Sequence, residues 1–298
     1  MKLSIKKSDF CFFTYVNTCV SLFVLLSYKW LRMWNLFNVS SDFCLFWIVE
    51  KCRIELDLGD TPSSDVPILS LILSSSIVNL IFYKCLPSHL SPLIKSYVIS
   101  TIHAIICVVS VINYLFKHEM NFNEINRIIG GGVDGTGDEM MVYNICLTCG
   151  YLFYDFLLML IHKEVRSNGA LVHHAIIFST FFCGLTFRIG HRCHFFLLAE
   201  ELSTVPLNFK AFYRHSSRLH QLFSLLFVIS FLFIRIWFGS IVCGYVFVAA
   251  PQFFRLVWNA NDMTSFYVGF LQLFLCLLSR FLNFYWAILI LKKVFSGK

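Results

Sequence analysis

Apolar runs about twenty residues long, separated by short polar stretches, recur along most of the chain. A helix needs about 20 apolar residues to cross a bilayer. The runs at 66–86, 97–116, 141–161 and 169–187 each supply that length. Three more follow at 194–212, 219–250 and 264–291, the first of them weakened by Glu200, Glu201 and Lys210. As a helix, 219–250 would be about 48 Å long, against a hydrocarbon core of about 30 Å. Gly239 and Gly244 offer a bend, so one span with an interfacial tail is expected, with two short crossings as the alternative. Near the N-terminus, Lys2, Lys6 and Lys7 precede an apolar run at 10–28. The layout is that of a signal peptide, but no small-x-small cleavage site follows, and a retained span is expected. Residues 32–65 are polar, with an acidic second half, and read as a connecting loop. The pattern therefore predicts an all-α, multi-pass transmembrane helical bundle of seven to eight spans. Its parts are an N-terminal membrane helix with a polar loop (1–65) and a main transmembrane domain (66–298).

Composition strengthens this reading. Only 14% of the 298 residues are charged and 58% are hydrophobic, whereas soluble domains carry about 25% charged residues. Backbone polar groups in lipid must be satisfied within the segment, which favours helices. The alternating pattern of a membrane β-barrel is absent. The net charge of +7 is spread over short loops and reports on topology, not on nucleic acid. Lys210, Arg214 and Arg218 crowd one loop, and Lys292, Lys293 and Lys298 end the chain. Both groups face the cytosol if the N-terminus is cytosolic and there are eight spans. Asn38 in "NVS" is a glycosylation acceptor by sequence, and its modification would confirm a lumenal first loop. Most of the twelve cysteines fall inside apolar runs, where Cys acts as a small hydrophobe. Cys146 and Cys149 spell C-x-x-C without a thioredoxin-like context.

Two motifs in 117–140 are decoys. Gly130, Gly132 and Gly135 spell G-x-G-x-x-G, but join two membrane spans where a dinucleotide site needs a βαβ unit. Asp134, Thr136 and Asp138 mimic a calcium loop, yet its sixth position is Glu139 and its twelfth is Ile145.

The informative residues are the polar ones at membrane depth, because charge there is costly and faces a bundle interior. His173 and His174 lie about 6–8 Å into their helix, and Asp155 about 9 Å before the end of the preceding one. The two helices form a hairpin, so the three side chains share a depth on the cytosolic side. Tyr151, Leu158 and His162 share the stripe of Asp155. A carboxylate beside imidazole fixes a tautomer and raises basicity, as acyl transfer requires. The same cluster also serves as polar glue between helices. Glu201, Thr204 and Asn208 form a second set on one face, with Pro206 placed to kink the helix. Arg235 reaches a depth similar to Glu200 and Glu201, and a Glu–Arg pair is expected there. Such a pair is either structural or part of a lipid-headgroup site. Asn208 and Arg280 are candidates to reach the histidine layer, and Arg280 could equally snorkel. "HRCH" at 191–194 is expected in a loop at the other membrane face. With one HH and one H-x-x-H, too few ligands converge for a di-iron lipid oxidase. No metal and no cofactor is expected.

"ISTIHA" (99–104), "GYLFYDFLLML" (150–160), "LVHH" (171–174), "EELSTVPLN" (200–208), "FIRIWFG" (233–239) and "LNFYWAILILKK" (282–293) occur in an order that resembles the TLC domain family. That group of multi-pass endoplasmic-reticulum lipid proteins includes the longevity-assurance ceramide synthases. The resemblance spans about 66–293 and is nearest to the small TLC domain-containing proteins. His173 and His174 match the adjacent histidines of the ceramide synthases, whereas "HHAIIFST" continues differently and no H-D pair follows. The resemblance implies a role in membrane-lipid composition, with acyl chains or sphingolipid-like molecules as partners, in the endoplasmic reticulum. If the protein is an enzyme, ceramide-synthase-type acyl transfer is expected. His173 or His174 would be the base or acyl acceptor and Asp155 the orienter, with Tyr151, Glu201, Thr204, Asn208 and Arg235 contacting substrate. The alternative is a non-enzymatic lipid sensor or cargo receptor of the early secretory pathway. Homo-oligomerisation is left open.

Overall fold

A computed structural model describes residues 68–117 and 139–296. The expectations for 1–65 and for the glycine-rich loop lie outside the described residues. Within them, all regular structure is helical: α1 (Ile68–Cys85), α2 (Pro92–Lys117), α3 (Glu139–Ile161), α4 (Asn168–Phe187), α5 (His191–Leu197), a 3₁₀ segment (Leu198–Ser203) and α6 (Thr204–Phe212). After these come α7 (Ser217–Ser230), a π-helical segment (Phe231–Phe238), α8 (Gly239–Asn259) and α9 (Met263–Phe295).

Six of the helical stretches are long and apolar enough to cross a membrane. Together α5, the 3₁₀ segment and α6 measure about 36 Å, long enough for a seventh pass. Short connections at 86–91, 162–167 and 213–216 and the C-terminal end of α9 then fall on one side of the bundle. Lys163, Arg166, Lys210, Arg214, Arg218, Lys292 and Lys293 gather at that side, against Arg188, Arg192 and Arg255 at the other. By the positive-inside bias the first side is expected to face the cytosol.

Local chemistry sets several of the boundaries. Pro92 opens α2, where a missing N–H costs nothing. Ser167 caps α4 by accepting from the Ala170 N–H. Asp262 accepts from Ser265 N at 3.0 Å to start α9. The Ser265 hydroxyl and backbone hold the Asp262 carboxyl below its usual range. Between α4 and α5 the chain reverses in three residues, with Arg188 and Gly190 in the left-handed region.

Two expectations are refined here. The stretch 219–250 belongs to one unbroken rod, Ser217–Asn259, of 43 residues. Neither Gly239 nor Gly244 ends it, so it does not make two short crossings. A π segment absorbs the irregularity, because i→i−5 bonding lets a helix continue without a break. "HRCH" is not a loop but opens α5, with His191, Cys193 and His194 buried. The adjoining Phe195 and Phe196 are fully buried and edge-on to Tyr114, which draws this turn into the bundle.

α1 packs on α3 through small residues. Ser75 Oγ donates to Leu147 O at 2.9 Å, and Ser76 Oγ to Gly150 O at 2.8 Å. A Cβ at Gly150 would stand 2.4 Å from Ser75 Cβ and 2.6 Å from Ile72 O, so the approach exists because Gly150 has no side chain. Gly150→Val is expected to destabilise the protein in detergent by about 1–3 kcal/mol, read as a lower melting temperature. Ser75→Gly at the same contact should cost clearly less. For topology, a glycosylation acceptor inserted at 260–262 should be modified in microsomes, and one inserted at 213–216 should not.

Candidate functional site

The hairpin α3–α4 brings the predicted residues into contact. Asp155 Oδ2 lies 3.4 Å from His174 Nδ1, within ion-pair range but outside hydrogen-bond geometry. The other carboxylate oxygen, Oδ1, accepts from Ser96 Oγ of α2 at 3.2 Å. Asp155 is therefore held from three helices. His174 presents its ring edge-on to Tyr151, with centroids 6.3 Å apart, and Tyr151 stacks on His103 at 3.9 Å. His173 points elsewhere, because consecutive helical positions diverge by about 100°. Its ring meets Trp286 of α9 at 5.3 Å and lines the interior cavity. The two histidines thus have separate surroundings, one paired with a carboxylate and one facing a void.

The second set forms a charged layer nearer mid-membrane. Pro206 has no N–H to close an α-type bond to Leu202 O, and the turn ahead of it tightens into the 3₁₀ segment. Side chains at i and i+3 eclipse in such a turn. Thr204 Oγ1 accordingly donates to Glu201 Oε2 at 2.7 Å. The other oxygen, Glu201 Oε1, faces Arg235 Nη2 at 3.6 Å, as expected from their matched depths. Arg235 also donates from Nε to Ser203 Oγ at 2.8 Å and from Nη2 to Thr204 Oγ1 at 3.3 Å. Glu201 lies within electrostatic reach of His103 and His174, which joins this layer to the histidines.

Arg280 does not snorkel; it is buried and lies within electrostatic reach of His173. It pairs with Glu200, and Nη1 donates to the Arg235 carbonyl at 2.8 Å. The π segment makes that carbonyl available: the Gly239 N–H bonds to Ile234 O, five residues back, where α-geometry would use Arg235 O. Asn283 Nδ2 adds a bond to Glu200 Oε2 at 3.1 Å. Gly239 leaves room for this pair, since a Cβ there would meet Arg280 Nη1 and Glu200 Oε1 and push both side chains aside. Asn208 is buried but apart from the histidines; it donates to Tyr97 O at 3.3 Å and Thr101 Oγ1 at 3.1 Å, pinning α6 to α2.

A cavity of about 70 Å³ is lined by His173, His194, Glu201, Arg235, Cys243, Val246, Phe253 and Gln272. Most of the wall is apolar. The volume admits about five waters, or a carbonyl with part of one alkyl chain, but not a whole diacyl lipid. His194 Nε2 bonds Gln272 Oε1 at 3.2 Å, and Gln272 Nε2 donates to Thr180 O at 2.8 Å. Among the described residues, no three His, Cys, Asp or Glu side chains converge as metal ligands.

Sequence reasoning missed Ser96, His103, the Glu200–Arg280–Asn283 group and the His194–Gln272 pair. A signal existed. Ser96, Ser100, His103 and Cys107 fall at i, i+4, i+7 and i+11 on α2, and Gln272, Cys276, Ser279 and Asn283 do so on α9. Polar stripes of that period in a membrane span mark the face turned inward.

Breaking a buried pair leaves an uncompensated charge. Glu200→Gln or Arg280→Met alone is expected to lower stability by about 3–5 kcal/mol, while replacing both partners with apolar residues should recover much of it. Thermal unfolding in detergent reads both outcomes.

No curated protein and no solved structure matches the chain significantly. The TLC domain family matches residues 94–292, from α2 through α9. α1 lies outside the matched region, whereas every residue of the histidine and charged layers lies inside it. This match covers about two thirds of the sequence, and the chain belongs to the TLC domain family as a multi-pass membrane protein.

Proposed function

We propose that the cavity receives a lipid acyl chain and that the protein adjusts membrane-lipid composition by acyl transfer. The observation that supports this most is the placing of His173 in the wall of a mostly apolar void, with the Asp155–His174 pair beside it. An acyl chain lying along Val246 and Phe253 would bring its carbonyl to His173. That imidazole would take up the acyl group or the acceptor's proton. Asp155 stands 3.4 Å from His174 Nδ1, and a hydrogen bond closed there on substrate binding would leave Nε2 as the basic edge that general-base catalysis uses. Arg235, in the same wall and within electrostatic reach of His173, offers positive charge where a carbonyl oxygen gains negative charge. Tyr151, Glu201 and Thr204 orient these groups, and Asn208 holds the rod against α2.

The family supports an endoplasmic-reticulum location, and the partners in this reading are membrane lipids with acyl or sphingolipid-like chains. A non-enzymatic lipid sensor or cargo receptor would use the same cavity without needing the His–Asp pair.

Comparative lipidomics of membranes carrying wild type or the His173→Ala, His174→Ala double variant tests the reading. Product formation should fall by at least about 100-fold in the variant, and Asp155→Asn should lose a similar factor, since a positioned general base contributes about 10²–10⁴. Equal lipid profiles from equally expressed proteins would overturn acyl transfer in favour of the receptor.

A further inference from the structure

Between the charged layer and His194, the cavity wall carries three thiols from three helical elements: Cys193 of α5, Cys243 of α8 and Cys276 of α9. Cys276 Sγ lies 3.1 Å from Cys243 Sγ. A disulfide has an S–S distance of about 2.05 Å, so the two sulfurs are about 1 Å from bonding distance. Cys193 is near enough to Cys243 to interact electrostatically. The described cysteines are all free.

The pairing of Cys243 with Cys276 is not a chance meeting of mobile side chains. α8 and α9 are joined by the short connection 260–262 and packed where Gly269 meets Phe253, at which a Cβ would stand 2.5 Å from the ring. Cys276 follows Gly269 by two helical turns. The close approach at Gly269 thus registers the two helices and keeps both sulfurs at the same height in the wall. Cys243 is buried and Cys276 half-buried.

The cavity also limits which oxidants matter. Apolar surroundings suppress thiolate chemistry, whereas hydrogen-atom transfer needs no charge separation. An oxidant that partitions into lipid and acts by hydrogen abstraction suits this wall best. A peroxyl radical carried on an oxidised unsaturated acyl chain is such a species, and it would arrive as the cavity's own occupant.

We infer that Cys243 and Cys276 are a modification site, an oxidisable thiol pair that acyl-chain peroxyl radicals close into a disulfide between α8 and α9. The choice of oxidant rests on the acyl-chain reading of the cavity; the pair itself does not. Two peroxyl radicals each take one hydrogen atom from a thiol and become hydroperoxides, and the two thiyl sulfurs couple. Two S–H bonds break, while two O–H bonds and one S–S bond form. The product ties α8 to α9 through the cavity wall and prevents them from parting there. A dithiol reductant restores both thiols.

The test uses the full chain reconstituted in polyunsaturated phosphatidylcholine vesicles, with peroxidation started by iron and ascorbate. After alkylation, peptide mass mapping should show a linked Cys243–Cys276 peptide and joint loss of alkylation at both positions, reversed by dithiothreitol. Saturated phosphatidylcholine vesicles under the same treatment should leave both cysteines alkylated. Molecular iodine, which oxidises thiols without any lipid radical, should form the same link in either vesicle. Cys193→Ser should still link, and in Cys276→Ser the thiol of Cys243 should stay open to alkylation. Equal lipid profiles of wild type and the His173→Ala, His174→Ala variant, with the link still formed in wild type, count against acyl transfer alone. A link formed by iodine but not by lipid peroxidation overturns the acyl-radical route. A pair that neither treatment joins, or a Cys193–Cys243 link in its place, overturns the site.

Discussion

Everything in this bundle is arranged around two glutamates and two arginines placed where lipid cannot solvate them. An isolated charge at that depth costs several kcal/mol, and each is answered by one of opposite sign: Glu200 by Arg280, Glu201 by Arg235. The four residues come from three separate segments, the 191–212 rod, the π segment and α9. Satisfying the charges therefore fixes how these segments stand against one another. The 3₁₀ turn, the π segment and Gly239 are the backbone adjustments that let the pairs form.

The same constraint separates the two histidines. Asp155 is held by Ser96 on one oxygen and turned to His174 on the other, so that imidazole has a fixed neighbour. His173, one residue earlier, is rotated into the cavity against Trp286. One helix thus offers a supported ring and an open ring at one depth, a division that acyl transfer can use and a purely structural clamp does not need. Glu201, reaching toward both the arginine and the histidines, makes the charged layer part of that environment. The cavity that follows is a consequence of packing: Gly184, Gly239 and Gly269 let His194, the Glu200–Arg280 pair and Phe253 close in, and the void lies between those approaches.

Much of this was legible in the residues alone. Hydropathy placed α1 to α4 to within a few residues, because a bilayer demands a length that few other structures share. The hairpin argument placed Asp155 beside the histidines, since rise per residue converts directly into depth. A Glu–Arg pair at Arg235 followed from the same arithmetic, and the structure chose Glu201 over Glu200 for it. Arg280 was harder: depth alone left it a choice between the histidine layer and the interface, and only the rotation of α9 brought it to Glu200. His103 and His194 were hidden for a related reason. Each sits in an apolar run, and its neighbours come from helices distant in sequence.

The sequence by itself determined that this chain is a membrane-embedded helical bundle and which polar residues share a depth. These follow from length, apolar content and charge along a single axis. Only the tertiary structure decided the angles around that axis. They turn His173 to the cavity and His174 to the carboxylate, give Arg235's carbonyl to Arg280, and bring two sulfurs from α8 and α9 together. Rotation about the membrane normal is set by side-chain packing between helices, which no property of one helix contains.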